Sequence, residues 1–304
     1  MPDTAPPSKL ASFAFATAGE IRFGRGEARR AIPDIAAFGA RVLVVHGSDA
    51  ARAAWLIDGL TEAGAQVTTL SITGEPDVAG IEEGVRMARE AGVESVVALG
   101  GGAVIDAGKA IAGLVPSDRA ITDHLEVVGQ GLPLDRDPLP FTALPTTAGT
   151  GAEVTRNAVI SVPEARRKVS LRDARLLPTL AIVDPSLTDG LPRAVTLASG
   201  LDAVTQVIEP YVSPRASVLT DALCRDAIPR GLGALIRLME DDSDRDASDA
   251  MAWVSLSGGL ALANAGLGVV HGLAGPLGGL SGAAHGAICG ALLPHGLAAN
   301  GAHA

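Results

Sequence analysis

The chain is poor in cysteine and in aromatic residues. Its 304 residues include two Cys, five Phe, two Trp and one Tyr. Cys224 and Cys289 are far apart and form no CxxC pattern, so we see neither a disulfide framework nor a thiolate zinc site. We therefore expect a reducing compartment, the cytoplasm. The N-terminal segment MPDTAPPSKLASF has no basic stretch followed by an apolar one, and we expect no secretory signal.

Basic charge is also scarce. The chain has 24 Lys and Arg against 34 Asp and Glu, which gives a formal net charge of -10. This charge repels phosphate backbones and anionic lipids, and no segregated basic patch offsets it. We therefore expect neither a nucleic acid nor a membrane as partner.

Charge is missing altogether from Ala250 to Ala304. Such a run invites a transmembrane interpretation. However, Pro276 and Pro294 interrupt the segment, it contains histidines, and it lacks an aromatic belt and basic flanks. A helix that is apolar on all sides can be enclosed by protein as well as by lipid, so we predict buried helices inside a protein.

What is present is a pattern that changes along the chain. Up to about residue 185, short β-branched runs alternate with helical stretches, which is typical of a parallel sheet with crossover helices. After Asp184-Pro185, Ala/Leu-rich helical stretches dominate. We predict an α/β Rossmann-like domain over 1–185 and an all-α domain over 186–304. We interpret the acidic segment Met239 to Asp249 as an exposed loop between helices.

Two turns could bind a dinucleotide. The strand ending at Gly100 runs into Gly101, Gly102 and a helix, where backbone amides can approach a pyrophosphate closely. Glycine serves tight turns for steric reasons as often, and the run is not a G-x-G-x-x-G motif. A second strand ends in a small hydroxyl-rich turn, which is either a ribose or phosphate contact or an ordinary Ser/Thr turn. Its threonines are Thr146, Thr147 and Thr150.

A metal site is the third candidate. Asp202 and Gln206 are four residues apart and share a helix face. His271 and His285 bracket a Gly/Pro-rich break, so they belong to two segments that can converge. A lone histidine in an apolar stretch is more often a core residue than a ligand. Two of them together with an aspartate leave a divalent cation and a satisfied core about equally favoured.

In order and spacing, these motifs resemble the iron-containing alcohol dehydrogenase family. The resemblance is carried by GGGAVIDAGKAIA, LPTTAGTGAEVT, DPSLTDGLPRAVTLASGLDAVTQVIEPYVS and VVHGLAGPLGG with AHGAICGALLPHGLAAN, and runs from about Ile21 to Asn300. It implies a Rossmann-like domain, an all-helical domain and an active site between them. The family continues beyond the LLPH segment, so the helical domain is expected to be truncated relative to it.

The resemblance also assigns residues. Asp202, His271 and His285 match metal ligands, with Gln206 at the position of a further histidine ligand. The cofactor-contacting positions it implies are Gly100, Gly101, Gly102, Asp106, Thr146, Thr147, Thr150 and Lys168. Gly47 occupies the place of an Asp that selects NAD, and Ser48 follows it as a hydrogen-bond donor for a 2′-phosphate. NADP is therefore expected to be accepted beside NAD. The alternative is that Asp49 takes over the acidic role.

The implied activity is hydride transfer between NAD or NADP and a small alcohol or its aldehyde or ketone. Fe2+ or Zn2+, held by Asp202, Gln206, His271 and His285, polarises the substrate oxygen. A homodimer is expected. Two alternatives stay open: a metal-independent enzyme like maleylacetate reductase, and a degenerate, non-catalytic member. The altered ligand at Gln206 permits the first. The second is suggested by Gln206, by Gly275, which stands where the family has a proton-relaying histidine, and by the expected lack of the family's last helices.

Overall fold

The computed structural model describes residues 11–303. Most of the N-terminal segment that argued against a secretory signal lies outside these residues. Eight strands and six helices precede residue 190: β1 Glu20–Phe23, α1 Glu27–Arg30, α2 Ile32–Ala36, β2 Arg41–His46, α3 Ala54–Glu62, β3 Gln66–Ser71, α4 Val78–Glu90, β4 Ser95–Gly100, α5 Gly102–Leu114, α6 Ile121–His124, β5 Phe141–Pro145, β6 Asn157–Val162, β7 Arg167–Arg172 and β8 Leu180–Val183.

Six strands form one parallel sheet in the order β1-β8-β5-β4-β2-β3. The central strands β2 and β4 are almost wholly buried, because helices cover both faces of the sheet. Val42 and Val44 pack into the core on the face of α2 and α3, whereas Leu43 and Val45 pack on the face of α4 and α5. Successive side chains of β2 thus alternate between the two faces of the sheet and pack into two separate hydrophobic cores.

The strand order places the site. From β2 the chain moves outward to β3 and then returns to β4 on the other side of β2. Ligands of open α/β sheets bind at such a switch point, in the crevice beyond the carboxyl ends of the strands. Here those ends are His46 and Gly100.

Two strand features were not expected from the sequence. β1 adds an edge strand beside β8, and β6 pairs with β7 in an antiparallel hairpin apart from the main sheet. Both are short or rich in polar residues, so their hydrophobic pattern is weak.

Five long helices form the rest of the molecule: α7 Arg193–Tyr211, α8 Val218–Glu240, α9 Arg245–Ala265, α10 Val269–Ser281 and α11 His285–His303. The acidic loop is shorter than predicted, because only residues 241–244 separate α8 from α9. Asp244 caps α9 by accepting from the Ala247 amide, and Asp249, inside α9, pairs with Arg25.

The uncharged C-terminal segment is buried only in part. Most of α9 is enclosed, but α10 exposes Leu273, Leu277 and Leu280, so the prediction of buried helices is wrong for this face of α10 within the described residues. Pro276 and Pro294 lie inside helices. Over the described residues, no single helix is long and apolar enough to cross a membrane; α9 and α10 together are, but they meet at a bend of 102°.

Candidate active site

A cleft of about 590 Å³ lies between the carboxyl edge of the sheet, the β6–β7 hairpin and the C-terminal helices. It collects residues from both parts of the molecule. The predicted site residues that line it are Gly102, Asp106, Thr150, Lys168, Asp202, Gln206, His271 and His285. The remaining predicted residues, Gly47, Ser48, Gly100, Gly101, Thr146 and Thr147, do not line it directly and lie at the strand ends beside it.

On the helical side, α7 supplies Asp202 and Gln206, both almost fully buried. The Gln206 amide Nε2 donates to the carbonyl of Gly149, in the turn after β5. The side chain therefore ties α7 to the threonine turn. Only its Oε1 stays available as a ligand atom, since the nitrogen is engaged as a donor.

The histidines come from two helices. α10 ends at Ser281, the left-handed Gly282 (φ 69°) reverses the chain, and α11 begins at His285. His271 Nε2 lies 3.2 Å and His285 Nε2 lies 3.6 Å from Asp202 Oδ1. The two ring centroids are 5.5 Å apart, so both imidazoles face one carboxylate.

Glu209, one turn beyond Gln206 on α7, orients His271. Its Oε2 lies 2.6 Å from His271 Nδ1, and Oε1 accepts from the Val270 amide at 2.7 Å. Burial lowers the pKa of His271, but hydrogen bonds to Asp202, Cys289 and Glu209 outweigh it and raise the pKa to about 11. A carboxylate on the far nitrogen of a histidine is the outer partner usual at metal-binding imidazoles.

Cys289 completes the group and was missed in the sequence. Donor atoms of Asp202, His271, His285 and Cys289 all lie within 4.8 Å of one another, close enough to surround one metal ion. Cys289 therefore adds a candidate thiol donor that the sequence analysis did not include. Its position four residues after His285 puts both on one helix face, a signal that a search for CxxC patterns passes over. Glu209, seven residues after Asp202, carries the same signal.

On the sheet side, β4 leads through Gly101 into α5. No side chain caps this helix, so its first amides are free to bind an anion at the positive end of the helix dipole. The turn after β5 is fixed to this loop by the Thr146 amide, which donates to the Gly100 carbonyl. A Cβ on Gly102 would lie 2.7 Å from Thr150, so the threonine packs directly on the glycine backbone.

Gly47 and Ser48 follow β2, across the switch point from the glycine run. A Cβ on Gly47 would have no neighbour within 4 Å, so the place is open. The Asp49 carboxylate accepts from the Ala51 amide at 3.1 Å, and Arg52 donates to the Leu187 carbonyl. Both side chains have a role in local structure, whether or not they meet a nucleotide.

Asp106 and Lys168 face the cleft from α5 and β7. Lys168 Nζ lies 2.9 Å from Glu75 Oε1, across the cleft wall. Burial raises the pKa of Asp106, and the nearby Lys109 ammonium opposes that rise. Lys109 is itself fully buried and binds the carbonyls of Ala152, Thr155 and Asn157 at 2.8–2.9 Å, which holds the threonine turn and the start of β6 in place.

Val127, at the rim of the cleft, has a backbone conformation that is uncommon for its residue type. Its φ is 67°, a left-handed conformation that is strained for a β-branched residue, and its side chain is 76% exposed. Sequence patterns give no warning of such a position. Strained residues of this kind cluster at binding sites.

Two family descriptions match the chain. The one described as "Iron-containing alcohol dehydrogenase" matches residues 18–185, and "Fe-containing alcohol dehydrogenase family, C-terminal" matches residues 196–304. Lactaldehyde reductase of Escherichia coli (strain K12) is 37% identical over 253 residues, which cover 83% of this chain and 62% of the relative. The 4-hydroxybutyrate dehydrogenase of Cupriavidus necator is also covered to 62%, so the chain spans about three-fifths of these curated relatives' length.

Solved structures agree in fold. A 1,3-propanediol oxidoreductase superposes with a TM-score of 0.88 at 30% identity, over 94% of this chain and 75% of that one. Sulfoacetaldehyde reductase from Bifidobacterium kashiwanohense, solved in complex with NAD+, gives a TM-score of 0.85 at 29% identity, over 94% and 76%. The parallel sheet followed by helices is thus the fold of these proteins.

Proposed function

The chain belongs to the iron-containing alcohol dehydrogenase family, and we propose that it interconverts a small alcohol and its carbonyl compound with NAD(H) or NADP(H). The observation that carries this proposal is a cluster of four side chains able to bind a metal, of which Asp202, His271 and His285 line the same cleft as the free N-terminus of α5. When bound, a divalent metal supplies Lewis-acid polarisation of the substrate oxygen, and the nicotinamide supplies or accepts the hydride.

The residues on the helical side fit a metal. Asp202 contributes a negative charge at a buried position, where a cation of opposite sign offsets the cost of burying the carboxylate. Glu209 accepts from His271 Nδ1 and so holds Nε2 towards Asp202. His285, half-exposed in its side chain, faces the same carboxylate from the open side of the cleft.

The residues on the sheet side fit a dinucleotide. The uncapped start of α5 offers amides to a pyrophosphate, and Thr150 and Asp106 continue that surface into the cleft. Substrate and nicotinamide would meet between Thr150 and His271. Beside its polar groups, the cleft is lined by the aliphatic side chains of Val127, Val159, Leu262 and Leu267, which suits a small aliphatic substrate.

The donor group favours the metal-dependent enzyme over the metal-independent one, which becomes an outcome of the test. The purified chain is stripped with a chelator, reloaded with Fe2+ or Zn2+, and assayed with NADH and NADPH against short aldehydes and keto acids. We expect turnover only after reloading. His285→Ala should lower kcat/KM by more than about 100-fold, since even outer partners of metal ligands contribute 10- to 100-fold.

The control is His295→Ala, which removes an exposed histidine of the same helix outside the donor group. Full turnover by the metal-free chain would replace the proposal with a metal-independent reductase. Absence of turnover in every reloaded preparation would favour a non-catalytic member. A homodimer and a cytoplasmic location stay part of the proposal, and sedimentation analysis tests the former.

A further inference from the structure

One position of the proposed metal site carries a weak donor. Three strong donors, Asp202, His271 and His285, come together, but the fourth position assigned from sequence belongs to Gln206. A carboxamide is neutral and a weaker donor than imidazole. In addition, the Gln206 nitrogen is engaged with the Gly149 carbonyl, which fixes the amide as a link between α7 and the threonine turn.

Cys289 lies where a fourth donor is needed. It is one turn after His285 on α11, its side chain is fully buried, and its Sγ is 3.7 Å from His285 Nε2. Its ligand atom lies within 4.8 Å of those of Asp202, His271 and His285. Cys224, the other cysteine, is buried in α8, outside this group.

We infer that the Cys289 thiolate is the fourth protein ligand of the divalent metal, in the place that the sequence suggested for Gln206. The inference rests on the proposed function only through their shared metal site. As the metal binds, the Cys289 S–H bond breaks, its electron pair stays on sulfur as the metal donor, and the proton leaves to solvent.

Charge supports this assignment. With Asp202 as the only anionic ligand, a buried dication would keep a net positive charge, which is costly away from water. A thiolate from Cys289 neutralises that charge inside the ligand group. Gln206 cannot do this.

The consequence is a change in metal preference. Thiolate is a soft ligand that favours zinc and cobalt over magnesium and manganese, whereas carboxylate and amide oxygens favour the hard ions. We therefore expect wild type to prefer Zn2+ over Mn2+ by a larger factor than Cys289→Ser does.

Cobalt reports the thiolate directly. The full chain, stripped of metal and titrated with Co2+, should develop a thiolate-to-cobalt charge-transfer band in the near ultraviolet that saturates at one ion per chain. Cys224→Ser, which leaves Cys289 as the only thiol, should keep the band. Cys289→Ser should lose it and bind Co2+ more weakly by more than about 10-fold, the smallest effect seen when even an outer partner is removed.

One bound Co2+ without the band in wild type overturns the inference, as does a band that persists in Cys289→Ser. If Cys289→Ser fails to fold, the wild-type and Cys224→Ser spectra still decide, because no third cysteine exists. Failure to bind Co2+ overturns the inference and the metal-dependent mechanism together. A band in a protein without turnover supports the ligand role of Cys289 and refutes only the proposed activity. Turnover without the band supports the proposed activity and overturns the ligand role of Cys289.

Discussion

The two walls of the cleft differ in what they are made of. On the sheet side, the run from Gly100 to Gly102 and the threonine turn present backbone, brought close by the lack of side chains. On the helical side, the donors are side chains carried by α7, α10 and α11. We call these two sides the sheet wall and the helical wall. Ligand binding at the sheet wall should therefore be weakened by adding side-chain atoms, and ligand binding at the helical wall by removing them.

The largest expected effect is at Glu153, which is buried in the short 3-10 helix Ala152–Val154 between α5 of the sheet side and α9 of the helical side. Burial raises its pKa from 4.5 to about 7, so the folded state keeps a proton that the unfolded chain loses. Below pH 4.5 the carboxyl is protonated in both states and costs the folded state nothing. As the pH rises from 4.5 to about 7, the free energy of unfolding falls. At about 1.4 kcal/mol per pKa unit, the loss is about 3 kcal/mol at pH 8.

Glu153→Gln should therefore match wild type near pH 4 and exceed its free energy of unfolding by about 3 kcal/mol at pH 8. Denaturant unfolding at the two pH values measures this. Glu164→Gln, at an exposed position nearby in the chain, is the control and should leave the pH dependence unchanged. Parallel pH profiles for wild type and Glu153→Gln would show that the carboxyl is ionised in the fold.

Adding atoms to the sheet wall comes next. A Cβ on Gly101 would meet Thr147 at 3.5 Å, an ordinary contact, so Gly101→Val should fold, yet its side chain would cover the free amides of α5. We expect nucleotide binding to weaken by about 100-fold, or about 2.7 kcal/mol, with metal binding unchanged. Calorimetric titration with each ligand measures both.

Gly233→Val, at an exposed glycine of α8 with open space around it, is the matched control. His285→Ala should show the opposite pattern, with metal binding lost and nucleotide binding kept. If Gly101→Val weakens both ligands equally, the two walls are not independent.

A smaller effect is expected after β2, at the position that should discriminate NADPH from NADH. Gly47→Asp places a carboxylate in open space after β2, where it would repel a 2′-phosphate and accept from a ribose hydroxyl. We expect the ratio of kcat/KM for NADPH to that for NADH to fall about 10-fold, or about 1.4 kcal/mol. A wild type selective for NADH that the substitution leaves unaffected would place the adenosine elsewhere; Asp49→Asn tests the nearest alternative.

The smallest effect concerns the rim. Val127→Gly removes a strained backbone costing about 1–3 kcal/mol and introduces a glycine entropy cost of about 0.5–1 kcal/mol, so we expect a gain of about 1 kcal/mol in the free energy of unfolding. Val128→Gly, next to it and without a positive φ, should instead destabilise. Equal changes in both variants would mean that Val127 carries no strain.

The sheet wall was the easier one to predict. β2 and β4 are continuous apolar runs that end in glycine, so their place in a parallel sheet and the turn beyond them follow from local pattern. The hairpin β6–β7 was not, because Arg167, Lys168 and Arg172 dilute the pattern. Cys289 and Glu209 share a helix face with predicted ligands, but the packing of α7, α10 and α11 that brings those faces together is not encoded in any local pattern.

Lys109 has a consequence for how this protein opens. Its ammonium is held by three backbone carbonyls from Ala152 to Asn157, so the turn after β5 cannot detach from α5 without leaving a buried cation unsolvated. The amides of α5 and of residues 152–157 should then exchange with deuterium as one cooperative unit, at a rate set by a shared opening and not by separate fraying of each segment.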